Sequence, residues 1–152
     1  MAKDLFELLH EDHQQVQKIL EKMTTSAQGS QKTRQDLVEQ LAIALLPHMK
    51  AEEGVLYPVL RDMKETKDLA LQAYEEHHVA ETVFKELQKL DTENETWLPK
   101  AKVFMEIVNH HIHEEESEIF EEARDNMEED DLDDLLDQFI SEKDDWTNRL
   151  AA

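Results

Sequence analysis

The sequence predicts an all-α protein: an antiparallel up-down-up-down four-helix bundle with an additional C-terminal helix. Leu, Glu, Lys, Gln and Ala dominate, while β-branched runs and period-2 alternation are absent. Two glycines (Gly29, Gly54) and three prolines (Pro47, Pro58, Pro99) are all that punctuate 152 residues. Long helices with short connections follow.

The first helix is expected to open at Asp4, where Asp4 and Glu7 have capping-box spacing, and to close near Ala27 with Gly29 as its stop. The second runs from about Thr33 to Tyr57 and ends before Pro58. Pro47, inside it, removes one hydrogen bond and is expected to kink it. The third spans about Lys67 to Leu90, and Asp91 to Thr96 reads as a polar turn. The fourth begins near Leu98, with Pro99 suited to a first turn, and continues to about Met127. Beyond it, Leu132, Leu135, Leu136, Phe139 and Ile140 fall on one face of an amphipathic fifth helix. Residues 1–127 thus form the bundle, and 128–152 a helix packed on the same domain. Trp146 and Leu150 extend its apolar face, and an oligomer contact is the alternative use of that face.

The formal net charge of −21 repels phosphate backbones and anionic headgroups, so neither nucleic acid nor a membrane surface is an expected partner. No apolar run approaches the roughly 20 residues that span a bilayer, and Met1 to His10 do not read as a signal peptide. The absence of cysteine excludes disulfides, Fe–S clusters and thiolate chemistry, and fits a cytoplasmic location. Eight histidines against no cysteines is the bias that points to chemistry.

A weak internal duplication organises those histidines. With His48 placed over His111 (offset 63), Glu52 falls on Glu115 and Leu56-Tyr57 on Ile119-Phe120. With His13 over His77 (offset 64), Asp12 meets Glu76 and Val16 meets Ala80. Each half is a helix carrying one His, followed by a helix carrying His-x-x-x-Glu. In each case the polar residues interrupt an apolar stripe: Leu9, His13, Val16, Leu20; Leu41, Leu45, His48, Glu52; Ala73, His77, Ala80, Phe84; and Phe104, Val108, His111, Glu115.

Burying six such groups without partners costs several kcal/mol each. A single core histidine paired with a carboxylate is commonplace, but six at matching heights in a repeat call for a metal. Imidazole and carboxylate together suit Fe, Mn, Zn or Co. Six protein ligands exceed one tetrahedral zinc. Two metals, each with two His and sharing Glu52 and Glu115, use all six, and a bridging hydroxide brings the charge near balance. His78, His110 and His113 fall on more polar faces, and His10 stands one turn before His13 as a further candidate ligand.

These residues resemble the hemerythrin-like (HHE cation-binding) family. The matching elements are Asp12-His13 with Val16, His48-x-x-x-Glu52-Glu53 running into Leu56-Tyr57-Pro58, Glu76-His77, and His111-x-x-x-Glu115-Glu116 running into Ile119-Phe120. The resemblance covers roughly residues 4 to 125. It implies a non-haem di-iron centre, two Fe ions with an oxo or hydroxo bridge, in which His13, His48, Glu52, His77, His111 and Glu115 are the metal ligands. The oxygen-carrying members have a five-His site with His-x-x-x-His on the third helix; here the residues four before and four after His77 are Ala73 and Glu81. Tyr74, Glu81 or His10 would have to supply any further ligand. The expected function is therefore binding of O2 or NO for sensing, storage or delivery. The alternative is a di-iron enzyme acting on hydrogen peroxide, NO or Fe(II), with Tyr74 or Glu81 as general-base candidates.

Overall fold

The computed structural model describes residues 3–25 and 31–151, and every regular element among them is helical. Helix α1 is Leu5–Thr25. Helix α2 runs as Gln31–Ala51, passes through a π-helical turn at Glu52–Leu56, and ends as Tyr57–Asp62. Helix α3 is Lys67–Lys89. Helix α4 runs as Trp97–Glu114, makes a second π-helical turn at Glu115–Ile119, and ends as Phe120–Asn126. Helix α5 is Glu129–Ala151. The bundle with an extra helix is the architecture the sequence led us to expect.

Local chemistry explains the boundaries. The backbone N–H of Glu7 donates to Asp4 Oδ1 at 2.8 Å, so Asp4 caps α1. The expected close near Ala27 and the stop at Gly29 lie outside the described residues. Between α3 and α4, Asp91 and Asn94 accept from the N–H groups of Glu93 and Thr96 at 2.9 and 2.8 Å, making the turn with short polar side chains.

One expectation is corrected: α2 does not end before Pro58 but continues to Asp62. The π turn widens the helix just before the proline, and Pro58 enters the first turn of the following segment, where a missing N–H is tolerated. Proline is not what creates the turn. Helix α4 makes the same turn 63 residues later, with Glu121 where α2 has Pro58. In both halves the widened turn begins at the glutamate of His-x-x-x-Glu.

Helix α1 packs on α2 and α4, and α3 packs on α4 and on the last segment of α2, which closes the ring. Helix α5 lies along α2 and its π turn, burying Leu135 and Phe139. Two apolar clusters fill the interior. One contains Val16, Leu20, Leu45, Phe84 and Phe104; the other contains Phe6, Leu9, Tyr57, Ala73, Ile119 and Phe139. The histidines and glutamates of the four stripes lie between them, so each helix carries its polar residues across the same level of the bundle. Among the described residues, no helix is long and apolar enough to cross a membrane.

Candidate metal centre

All six residues singled out from the stripes meet. His13, His48, Glu52 and Glu115 form one set, and Glu52, His77, His111 and Glu115 another; within each set the donor atoms lie within 4.8 Å of one another. The two sets share both glutamates. Glu52 and Glu115 are fully buried, and the four imidazoles are at most 7% exposed.

The close contacts have the shape of a coordination sphere. His48 Nε2 lies 3.1 Å and His77 Nε2 3.3 Å from Glu52 Oε1. His13 Nε2 lies 3.2 Å from Glu115 Oε1, and His111 Nε2 3.2 Å from Glu115 Oε2. Ligands about 2.1 Å from one ion are about 3.0–3.4 Å apart along the edges of an octahedron or tetrahedron. Yet His13 Nε2, His48 Nε2, both oxygens of Glu52 and Glu115 Oε1 have no hydrogen-bond partner. These atoms approach one another without pointing at one another, as donors converging on a common point do.

The other ring nitrogen explains why. His48 Nδ1 donates to Asp12 at 2.9 Å, His77 Nδ1 to Glu53 at 2.9 Å, His111 Nδ1 to Glu76 at 2.6 Å, and His13 Nδ1 to Glu116 at 2.6 Å. A carboxylate only accepts, so the proton of each neutral ring sits on Nδ1 and the Nε2 lone pair faces the centre. These four pairs obey the internal repeat. His48 with Asp12 mirrors His111 with Glu76, and His77 with Glu53 mirrors His13 with Glu116. In the sequence, Asp12 and Glu76 stand out as repeat matches, and Glu53 and Glu116 as elements of the family resemblance, none with an assigned role. Their two-by-two alignment was the available signal.

The set is electrostatically built for positive charge. Burial alone would push His48 down, but the Glu52 and Asp12 carboxylates outweigh it and lift its pKa to about 10. Burial likewise opposes the charged form of His111, yet Glu115 and Glu76 lift it to about 10. For Glu115, burial favours the neutral acid, but the His111 and His13 imidazoles facing it hold it well below the usual carboxylate range.

Sequence reasoning missed Tyr57. Its hydroxyl donates to Glu115 and lies 3.2 and 3.3 Å from the Nε2 atoms of His77 and His111. Burial and the Glu115 and Glu52 charges push its pKa well above 10, so it stays protonated. The repeat mate is Phe120, which instead stacks on His13 with centroids 6.1 Å apart. The two halves of the centre are thus chemically unequal. The proposed extra ligands do not join either set: His10 hydrogen-bonds Glu116 at 2.9 Å, Tyr74 donates to the Glu53 carbonyl at 3.1 Å, and Glu81 pairs with Lys50 at 3.2 Å.

The model of the Hemerythrin HHE cation binding domain matches residues 4–123. The chain belongs to that family. It is a metal-binding helical protein, and the buried His/Glu layer is where its donors meet. The crystal structure of a hemerythrin HHE cation-binding domain-containing protein from Mycobacterium kansasii has the same fold. That structure aligns with a TM-score of 0.83 at 19% identity, covering 97% of this chain and 90% of the other. The alignment therefore extends past the bundle into the fifth helix of this hemerythrin-family chain. No curated protein matches the chain.

Proposed function

We propose that this hemerythrin-family chain holds two iron ions, one between His13 and His48 and one between His77 and His111, with Glu52 and Glu115 shared, and that it binds O2 or NO there. Bound iron would supply a reversible one-electron change and affinity for a small ligand; the protein supplies the rest. Asp12, Glu53, Glu76 and Glu116 fix the ring orientations, and the bundle excludes bulk water.

A small cavity beside the donors carries this reading. It has a volume of about 20 Å³, enough for a water-sized guest, and is bounded by Val16, Leu45, Met49, Ala80, Val108 and Ile112 on one side and the histidines and Glu52 on the other. Five of its lining residues are the donors themselves, so this is the space the ions would occupy, and its apolar wall suits a small ligand such as a diatomic molecule beside them. The test is to reduce iron-loaded protein anaerobically, admit O2, and follow the near-ultraviolet and visible charge-transfer bands. Bands that appear with O2 and vanish on its removal support binding; failure of any band to respond contradicts it.

A second reading, turnover of hydrogen peroxide, is favoured by Tyr57. Its protonated hydroxyl at Glu115 places a proton donor inside an otherwise apolar and carboxylate-lined space. Steady O2 evolution from peroxide, reduced in Tyr57→Phe, distinguishes this reading.

A further inference from the structure

The four outer carboxylates are not treated alike. Asp12 Oδ1 accepts from Lys143 Nζ at 2.8 Å, Glu53 Oε1 faces Lys50 Nζ at 3.7 Å, and Glu116 Oε1 accepts from His10 Nδ1 at 2.9 Å. At Glu76 a second carboxylate takes that place. Glu114 comes alongside it, and the uncharged Gln72 amide donates to both, 3.2 Å from Glu76 Oε2 and 2.8 Å from Glu114 Oε2. His110 stands over the pair, its Nε2 3.2 Å from Glu114 Oε1 and 3.9 Å from Glu76 Oε2.

We propose that Glu76, His110 and Glu114 form a separate surface site for a divalent transition-metal ion. One imidazole nitrogen and two carboxylate oxygens, all within 4.8 Å of one another, are a donor set for Zn²⁺, Mn²⁺, Co²⁺ or Fe²⁺. The arrangement repeats the inner motif one residue earlier. His110-x-x-x-Glu114 lies beside His111-x-x-x-Glu115, turned about 100° around α4 so that it faces Glu76 of α3. A cation held between these two adjacent carboxylates is favoured by both of their charges. A solvent-open cleft of about 400 Å³, walled by Val79 and Ile107, adjoins Glu76 and His110. Glu76 Oε1 meanwhile holds His111 Nδ1, so the surface ion sits one carboxylate away from the buried centre.

The test uses protein whose buried centre has been loaded with iron and freed of excess metal, titrated with Zn²⁺ by calorimetry. Wild type is expected to take up one equivalent that His110→Ala does not. Glu114→Gln is expected to weaken that equivalent by about tenfold or more. Both variants should keep the wild-type iron content and circular dichroism spectrum, because His110 is exposed, Glu114 only half-buried, and neither belongs to the inner donor sets. Identical Zn²⁺ titrations of wild type and His110→Ala, or no uptake by wild type, overturn the proposal. The comparison reads the surface site even if the buried centre holds no iron, so failure here and failure of the di-iron reading are told apart.

Discussion

Replacing Glu52 by Gln tests the shared-carboxylate arrangement with the smallest change of shape. Glu52 is fully buried, its Oε1 touches one histidine from each half of the centre, and neither oxygen has a hydrogen-bond partner. If it bridges two ions, an amide of the same size loses charge contact with both. An ion bound only by the folded state at about 100 times its dissociation constant adds about 2.7 kcal/mol, so two ions add about 5 kcal/mol. In a chain of this size each kcal/mol shifts the melting temperature by about 2–4 °C, giving about 10–20 °C between chelated and loaded wild type. Glu52→Gln should lose at least half of that increment and fall from two equivalents towards one. Mass-spectrometric metal analysis and thermal unfolding followed by circular dichroism, each with and without chelator, measure both quantities. A variant that keeps two equivalents and the whole increment refutes the bridging role.

Other substitutions separate ligands from bystanders. His48→Ala and His111→Ala should each lose most of the bound metal, whereas His113→Ala, at an exposed position, should retain all of it by the same analysis. Lys143→Met removes the ammonium that holds Asp12 against His48 and should lower affinity for one ion by about tenfold, seen as one faster phase of metal release to chelator. Tyr57→Phe should fold, because the repeat mate is already Phe120, but should shift the charge-transfer bands of the iron-loaded protein. The pH dependence has opposite signs in the two forms. Without metal, the raised pKa values of His48 and His111 contribute stability that is full below about pH 6.5 and lost as pH rises through about 10. With metal, protons compete for the same rings, so affinity should rise over that range and metal uptake near neutral pH should release protons, measured from the buffer dependence of calorimetric heats.

Most of the fold and the inner donors were legible because each rests on a strong period. His13, His48, His77 and His111 each replace an apolar residue in a stripe that steps by three and four, and burial follows directly from that register. The end of α2 was not legible: a π turn adds a residue without altering composition, and Pro58 reads as a stop unless the widened turn before it is known. The outer carboxylates were visible as repeat matches or as elements of the family resemblance, but cross-helix pairs such as Asp12 with His48 require knowing which helices adjoin. Tyr57 was hidden for a related reason. Nothing in its spacing distinguishes a core aromatic from a hydroxyl donor aimed at Glu115.

The most direct test is X-ray diffraction at the iron absorption edge from crystals of the iron-loaded protein. Two anomalous peaks should appear between the histidine pairs, both next to Glu52 and Glu115. A map without density there, with the glutamates bonded straight to the imidazoles, contradicts the account.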